Sequence, residues 1–339
     1  MSSSSKGLRW LLVATAVLLL LLATAAAGTW WWVQRPMPLA AGTAELSIEP
    51  GTTPRDVAAA WVAAGVQVHP GLLYQWFRWS GEARRIRAGS YEIDAGTTPR
   101  QLLAKMVQGD ETLEKLRLGD GWTWRQVRAA LAAAPQLKPL SEGMDEAEVM
   151  QALGSAAASA EGRFFPDTYA YSRGVSDLTV LRRAHAAMLR RLDAAWAQRN
   201  PDSPLKSAEQ ALILASIVEK ETGPKDDPGQ VAAVFLNRLR VGMPLQTDPT
   251  VIYGLGEAFD GNLRKRDLQA DNPFNTYTRA GLPPTPIALP GAASLQAVVQ
   301  PAPSKALYFV ARGDGGSVFS DNLADHNRAV NKYQRKTSP

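Results

Sequence analysis

The sequence predicts an α+β protein tethered by a single N-terminal membrane-spanning helix. Three observations predict it. An uncharged apolar stretch runs from Trp10 to Trp32, a verbatim five-residue repeat links strand-like runs to helical ones, and the C-terminal half alternates capped apolar helices with proline-rich loops. The expected divisions are a short cytoplasmic N-terminus (1–9), a span (10–33), a small βα domain (44–112) and a larger mixed α+β domain (113–335).

The uncharged stretch of 23 residues would reach about 34 Å as a helix, against a hydrocarbon core of about 30 Å. Lys6 and Arg9 precede it, and the positive-inside tendency places the N-terminus in the cytoplasm and the rest of the chain outside it. Trp30, Trp31 and Trp32 suit the far interface, where amphipathic rings are favoured. Membrane lipid is therefore an expected partner through residues 10–33. The alternative is a cleaved signal peptide, with Ala25, Ala26 and Ala27 as the small-residue site. The apolar run exceeds an ordinary signal core, which favours a retained anchor.

The repeat is Gly51-Thr52-Thr53-Pro54-Arg55, found again as Gly96-Thr97-Thr98-Pro99-Arg100. Each copy follows a strand-like run (44–48, 90–93) and precedes a helical pattern. Thr before Pro fits an N-cap with Pro at the first helical position, where its missing N–H costs nothing. Gly121-Trp122-Thr123 is a looser third copy. A strand–Gly-x-Thr–helix unit resembles LysM-type modules, which implies binding of N-acetylglucosamine-containing glycans; ordinary capped βα connections read the same way. Trp61, Trp76, Phe77 and Trp79 are either sugar-stacking or core aromatics. Residues 131–159, rich in Ala, Gly and Ser, read as connection.

Composition bounds the chemistry. With 45% apolar and 20% charged residues the chain is globular rather than disordered. A formal charge of +5 without a dense basic stripe excludes nucleic acid as a partner. There is no cysteine, and the three histidines (His69, His185, His326) are scattered, so neither metal nor cofactor is expected. Catalysis would rest on carboxylates, hydroxyls and amides.

Ser207 with Gln210 opens a helix, residues 211–218 are apolar, and Gly223-Pro224 stops it. Glu219 and Glu221 fall in its last turns. At about 100° per residue, Glu221 lies over Leu214, Ile217 and Val218, with Glu219 roughly 160° away. A carboxyl on the buried stripe near the negative end of the helix dipole should hold its proton above the ordinary range, as a general acid requires. Glu221 is the candidate acid, and Glu219 is read as solvated or ion-paired. A structural ion pair is the competing reading for Glu221. Asp227-Pro228 starts a second helix over 231–240, ended by Gly242 and Pro244. Constrained polar loops follow at 245–254, 275–277 and 281–284, suited to a sugar-lined groove.

The blocks Ala215 through Glu219-Lys220-Glu221-Thr222, Val234 through Leu239, Leu245 through Gly254, Asn275-Thr276-Tyr277 and Gly281-Leu282-Pro283-Pro284 resemble the YceG-like (MltG) endolytic murein transglycosylases. So do Glu161 through Tyr169 and the C-terminal stretch from Leu307 to His326-Asn327. In that family the essential acid is the second Glu of Glu-Lys-Glu-Thr, which matches Glu221. Arg163-Phe164 departs from the aromatic expected after Glu161-Gly162.

The resemblance implies a lytic transglycosylase of the bacterial inner membrane, single-pass, with its catalytic part in the periplasm and peptidoglycan glycan strands as substrate. Glu221 would protonate the leaving oxygen, then accept the proton of the attacking 6-hydroxyl, leaving a 1,6-anhydro end. An ordinary glycosidase needs two carboxylates; here one suffices. Gln246, Asn275 and Tyr277 are expected to orient the sugar. Asp248 is read as ligand contact or helix cap, Glu161 as second-layer partner or surface acid, and Asn237 with Arg238 as a clamp between the two helices. The family also implies peptidoglycan synthases as partners and termination of nascent strands. A non-catalytic glycan-binding scaffold and a water-using muramidase are the alternatives.

Overall fold

The computed structural model of the chain describes residues 4–223 and 227–334; Pro224, half of the expected helix stop, lies outside them. The chain divides into two compact units. One comprises Met1–Glu114 with Ser172–Gly174, the other Lys115–Tyr171 with Val175–Pro339.

The first unit opens with α1 (Ser4–Val33), whose stretch Leu12–Val33 is long and apolar enough to cross a membrane. Then come β1 (Thr43–Ile48), α2 (Pro54–Ala63), α3 (Pro70–Trp79), β2 (Gly89–Asp94) and α4 (Pro99–Gln108). β1 and β2 pair antiparallel from Thr43↔Asp94 to Ile48↔Gly89. Gly51 and Gly96 leave the strands with φ of +88° and +100°, a conformation open to residues without a Cβ. Thr53 then accepts from Asp56 N–H, and Thr98 forms a capping box with Gln101. α3 separates the two copies, so the unit runs strand, helix, helix, strand. Trp61 and Phe77 are buried in its core with Leu73, Leu102 and Met106, which removes them as sugar-stacking candidates. Trp76 is half-buried and donates its indole N–H to Pro99 O (3.0 Å), leaving Trp79 exposed.

The second unit begins around β3 (Leu113–Arg117) and continues through α5 (Trp124–Ala133), α6 (Glu146–Ala152), β4 (Thr168–Ser172), α7 (Asp177–Ala197), α8 (Ala208–Glu221) and α9 (Pro228–Arg240). Next are α10 (Asp248–Leu255), α11 (Lys265–Gln269), α12 (Ala292–Val299), the hairpin β5 (Tyr308–Ala311) and β6 (Ser317–Ser320), and α13 (Leu323–Tyr333). β3 and β4 form a two-stranded sheet. One core gathers Trp124, Val127, Phe164, Tyr169 and Leu181 from α5, α7 and the segments between them; a second surrounds α8 with residues from α7, α9 and α12.

Residues 211–218 of α8 are buried without interruption. Such a helix is wrapped on every side and has no solvent face. This corrects the reading of Glu219 as solvated or ion-paired. Glu219 is half-buried and accepts from Gly291 N–H (2.9 Å) and the Ser294 hydroxyl (2.7 Å) at the start of α12. Gly291, the N-cap of α12, has no side chain with which to cap it, so a carboxylate from α8 satisfies those donors. The clamp reading of Asn237 and Arg238 is also corrected. Asn237 donates to Ser304 O and Ala306 O (both 3.0 Å), and Arg238 to Leu307 O and Leu245 O (both 2.7 Å). Their hydrogen bonds hold α9 to two connecting segments, and only the charge of Arg238 reaches α8, at Glu221.

Candidate active site

Glu221 is the last residue of α8, where Thr222 closes the helix by returning both its N–H and its hydroxyl to Val218 O. The chain that meets it is the loop before α10. Gln246 there has φ +49°, a left-handed conformation uncommon for a residue with a side chain. Several bonds hold that turn. Gln246 N–H donates to Thr276 O (3.1 Å), Thr247 N–H to the Thr276 hydroxyl (3.1 Å), and the Thr250 hydroxyl to Thr247 O (2.8 Å). The turn leaves the Gln246 side chain exposed and directs the buried Thr247 hydroxyl to donate to Glu221 Oε1.

Burial holds the Glu221 carboxyl above its ordinary range. The Thr247 hydroxyl and the Arg238 guanidinium pull it down, and the charge of Asp248 pushes it further up. Asp248 is the first residue of α10, and Thr247 is the N-cap, so Asp248 is not the cap. Instead it accepts from the Tyr277 hydroxyl (2.6 Å), and burial with that acceptor raises the phenol's pKa. The result is a carboxyl of raised pKa at a helix end, with a hydroxyl on one side and an Asp–Tyr pair at the rim. It can donate a proton to an incoming oxygen and recover one as carboxylate.

Glu221, Gln246, Asp248 and Tyr277 thus share one locality. Asn275 stands there with a different task. Its buried amide donates to Asp267 O, Leu268 O and Ala270 O, and its carbonyl accepts from Tyr277 N–H. With those groups spent on backbone, it shapes the loop that carries Tyr277 and has no donor left for a sugar. Thr247 was missed by the sequence reading. Its only signal was a hydroxyl between Gln246 and Asp248 in a block already singled out.

Glu161 lies elsewhere in the same unit. It is 2% exposed, so the surface-acid reading falls. Both its oxygens accept from Trp124 N–H (3.0 Å each), the first N–H of α5. Burial raises its pKa to about 7, and that backbone bond and the Tyr253 hydroxyl oppose the rise. It borders a cleft of about 720 Å³ walled by Trp124, Arg125, Arg128, Glu146, Tyr253 and Phe259. Tyr253 is five residues after Asp248, about 7.5 Å along α10, so one helix borders both places. Asp145 and Glu146 bring the segment 131–159 into this wall, although it read as mere connection. Arg163 makes a forked pair with Glu209 of α8 (2.6 Å twice), which fixes the Glu161 loop to the catalytic-candidate helix. Among the described residues no group of three or more His, Asp or Glu is placed to hold a metal ion.

Comparison with known proteins places this geometry in context. The YceG-like family matches residues 46–332. An endolytic murein transglycosylase of Bacillus subtilis (strain 168) is 38% identical over 173 residues, covering 51% of this chain and 48% of that protein. An endolytic murein transglycosylase of Streptococcus pneumoniae serotype 2 is 25% identical over 328 residues, covering 85% of this chain and 58% of that one. The chain thus spans about half the length of the curated relatives it matches. A crystal structure of a yceG-like protein from Listeria monocytogenes aligns with TM-score 0.55 and 27% identity, over 85% of this chain and 98% of that one.

Proposed function

The chain belongs to the YceG-like family, and from that premise we propose that it is an endolytic peptidoglycan lytic transglycosylase with Glu221 as its acid–base residue. The observation that carries the proposal is the state of Glu221: half-buried, at a helix end, its carboxyl held above the ordinary range by desolvation, with Thr247 as its hydroxyl partner. Glu221 donates to the oxygen leaving between N-acetylmuramic acid and N-acetylglucosamine. The resulting carboxylate then takes the proton of the muramic 6-hydroxyl, which closes on the anomeric carbon as a 1,6-anhydro ring. No water is consumed and Glu221 ends protonated.

Gln246, Asp248 and Tyr277 form the rim that contacts sugar, Asn275 positions Tyr277, and the Glu161 cleft receives a further part of the strand. The catalytic region is residues 113–335, its last residue outside those described. The β1–β2 pair with two intervening helices supports reading 44–112 as a LysM-like glycan-binding domain. Lys6 and Arg9 ahead of the apolar span support a single-pass inner-membrane protein with its catalytic region in the periplasm. There it would cut nascent strands beside their synthases.

A second reading, a water-using muramidase, draws support from Asp248, a second carboxylate whose charge reaches Glu221. Product chemistry separates the two. Lytic cleavage yields ends about 18 mass units lighter than hydrolysis, the one water not added, and no label from ¹⁸O water. Label at the muramic anomeric carbon would establish hydrolysis. Glu221→Gln should lower turnover by about 10²–10⁴-fold with the fold retained; a folded variant of near-native activity would remove Glu221 from the mechanism.

A further inference from the structure

We infer that the first unit makes a second membrane contact beside its anchor: the α3 face bearing Leu72, Trp76 and Trp79 sits in the headgroup layer of the bilayer that α1 crosses, with neighbouring arginines against lipid phosphates. The inference rests on reading α1 as a retained span.

Two helix faces meet at this place. Ala25, Gly28, Thr29 and Trp32 of α1 and Leu72, Gln75, Trp76 and Trp79 of α3 each follow the i, i+3, i+4, i+7 spacing of one helix face. Together they wall a cleft of about 350 Å³. The junction below α1 is seated in the unit. Val33 and Met37 are buried in its core, and Met37 N–H donates to Thr97 O (2.9 Å). The span and α3 therefore keep one geometry.

Depth follows from helix rise. Ala25 precedes Val33 by eight residues, about 12 Å of helix axis. The span Leu12–Val33 covers about 33 Å, against a hydrocarbon core of about 30 Å. The cleft runs beside Ala25 to Trp32, along about the last 12 Å of that span, so the α3 side chains lie from the outer acyl chains to the level where headgroups begin. At that level the chain exposes large apolar groups: Leu72 is 54% exposed, Trp79 68%, Trp30 62% and Trp31 57%. A cluster of this kind is unfavourable in water, whereas Trp at the membrane interface is favoured.

Charge complements that placement. Arg78 on α3, Arg84 and Arg85 in the turn after it and Arg100 at the start of α4 are exposed, and Glu82 opposes them through its bond to Arg85 (2.9 Å). Arg85 and Arg100 line an adjoining cleft of about 380 Å³ that shares Trp76. The Arg100 guanidinium lies 5.8 Å from the centre of the Trp30 ring. A planar guanidinium fork suits phosphate, and basic clusters next to a span draw anionic lipid.

The absence of cysteine allows a direct test on the full-length chain in vesicles. Single cysteines at Leu18, Thr52, Leu72 and Trp79 would carry an environment-sensitive fluorophore, read with nitroxide-bearing lipids. Leu18 reports the anchor. Thr52 follows the end of β1 remote from the anchor and reports water. Labels at Leu72→Cys and Trp79→Cys should be quenched by headgroup-level nitroxide several-fold more than at Thr52→Cys, and more strongly when phosphatidylglycerol joins phosphatidylcholine. Joint replacement of Arg78, Arg84, Arg85 and Arg100 by Gln should abolish that anionic increment. Quenching at Leu18→Cys with none at positions 72 and 79 overturns the contact and leaves the anchor standing. No quenching at Leu18→Cys removes anchor and contact together. An increment that survives the arginine replacement overturns the phosphate part.

Discussion

Three groups act on the Glu221 proton in opposite senses, which makes the site testable one side chain at a time. A raised carboxyl pKa keeps the acid form present above the ordinary carboxyl range. Activity that needs a protonated Glu221 in the free enzyme should fall as pH rises through the folded pKa. The Thr247 hydroxyl stabilises the carboxylate, so Thr247→Val should move the alkaline limb of kcat/KM to higher pH. Asp248 destabilises the carboxylate, so Asp248→Asn should move the same limb to lower pH. Parallel displacement in both variants would show that neither group acts through Glu221. The pairing of Glu221 with Thr247 was only half legible beforehand. The helix wheel placed the carboxyl, but its partner arrives from a loop 26 residues on, and a left-handed Gln246 leaves no pattern in a sequence.

At the level of helices, two acids serve as caps rather than reagents. Glu219 supplies the acceptor that Gly291 cannot, so Glu219→Gln should cost about 1 kcal/mol of stability without moving the alkaline limb. A denaturant titration and the pH profile together check this. Glu161 does the same for α5 at a greater depth. Its pKa of about 7, against 4.5 unfolded, means the folded state binds the extra proton. Stability from this group is therefore present at pH 4.5 and is lost as pH rises to 7, by on the order of 3 kcal/mol. Glu161→Gln should flatten that decline in denaturant midpoints measured across the window. An unchanged slope would show that burial of Glu161 does not govern it. The wheel treated α8 as amphipathic, and packing on every side erased that distinction, which is why the task of Glu219 was misread.

For the chain as an assembled object, a retained α1 would set where any chemistry occurs. Full-length protein should stay with membranes through carbonate and high-salt washes, and its mature N-terminus should still contain Trp10. A mature N-terminus near Thr29 would show cleavage at the small-residue site and return the apolar stretch to a signal peptide. The seating of Val33 and Met37 in the first unit's core favours retention, since cleavage near Thr29 would strip the helix that leads into that seat.

Local signals in the sequence determined the elements with short-range causes. The Gly-x-Thr-Pro repeat marks two helix starts because left-handed glycine, threonine cap and proline act within five residues. The apolar span reads from length and charge alone, and the ordered blocks around Glu221 carry the family. Folding decided which polar groups face one another. Asn275 was spent on carbonyls 5 to 8 residues away, Glu161 was drawn beneath α5 from 37 residues on, and Trp61 and Phe77 went to the core. Partners of this kind are chosen by burial, because a buried donor or acceptor must be satisfied by whatever the packed chain brings within reach, and periodicity carries no record of that choice.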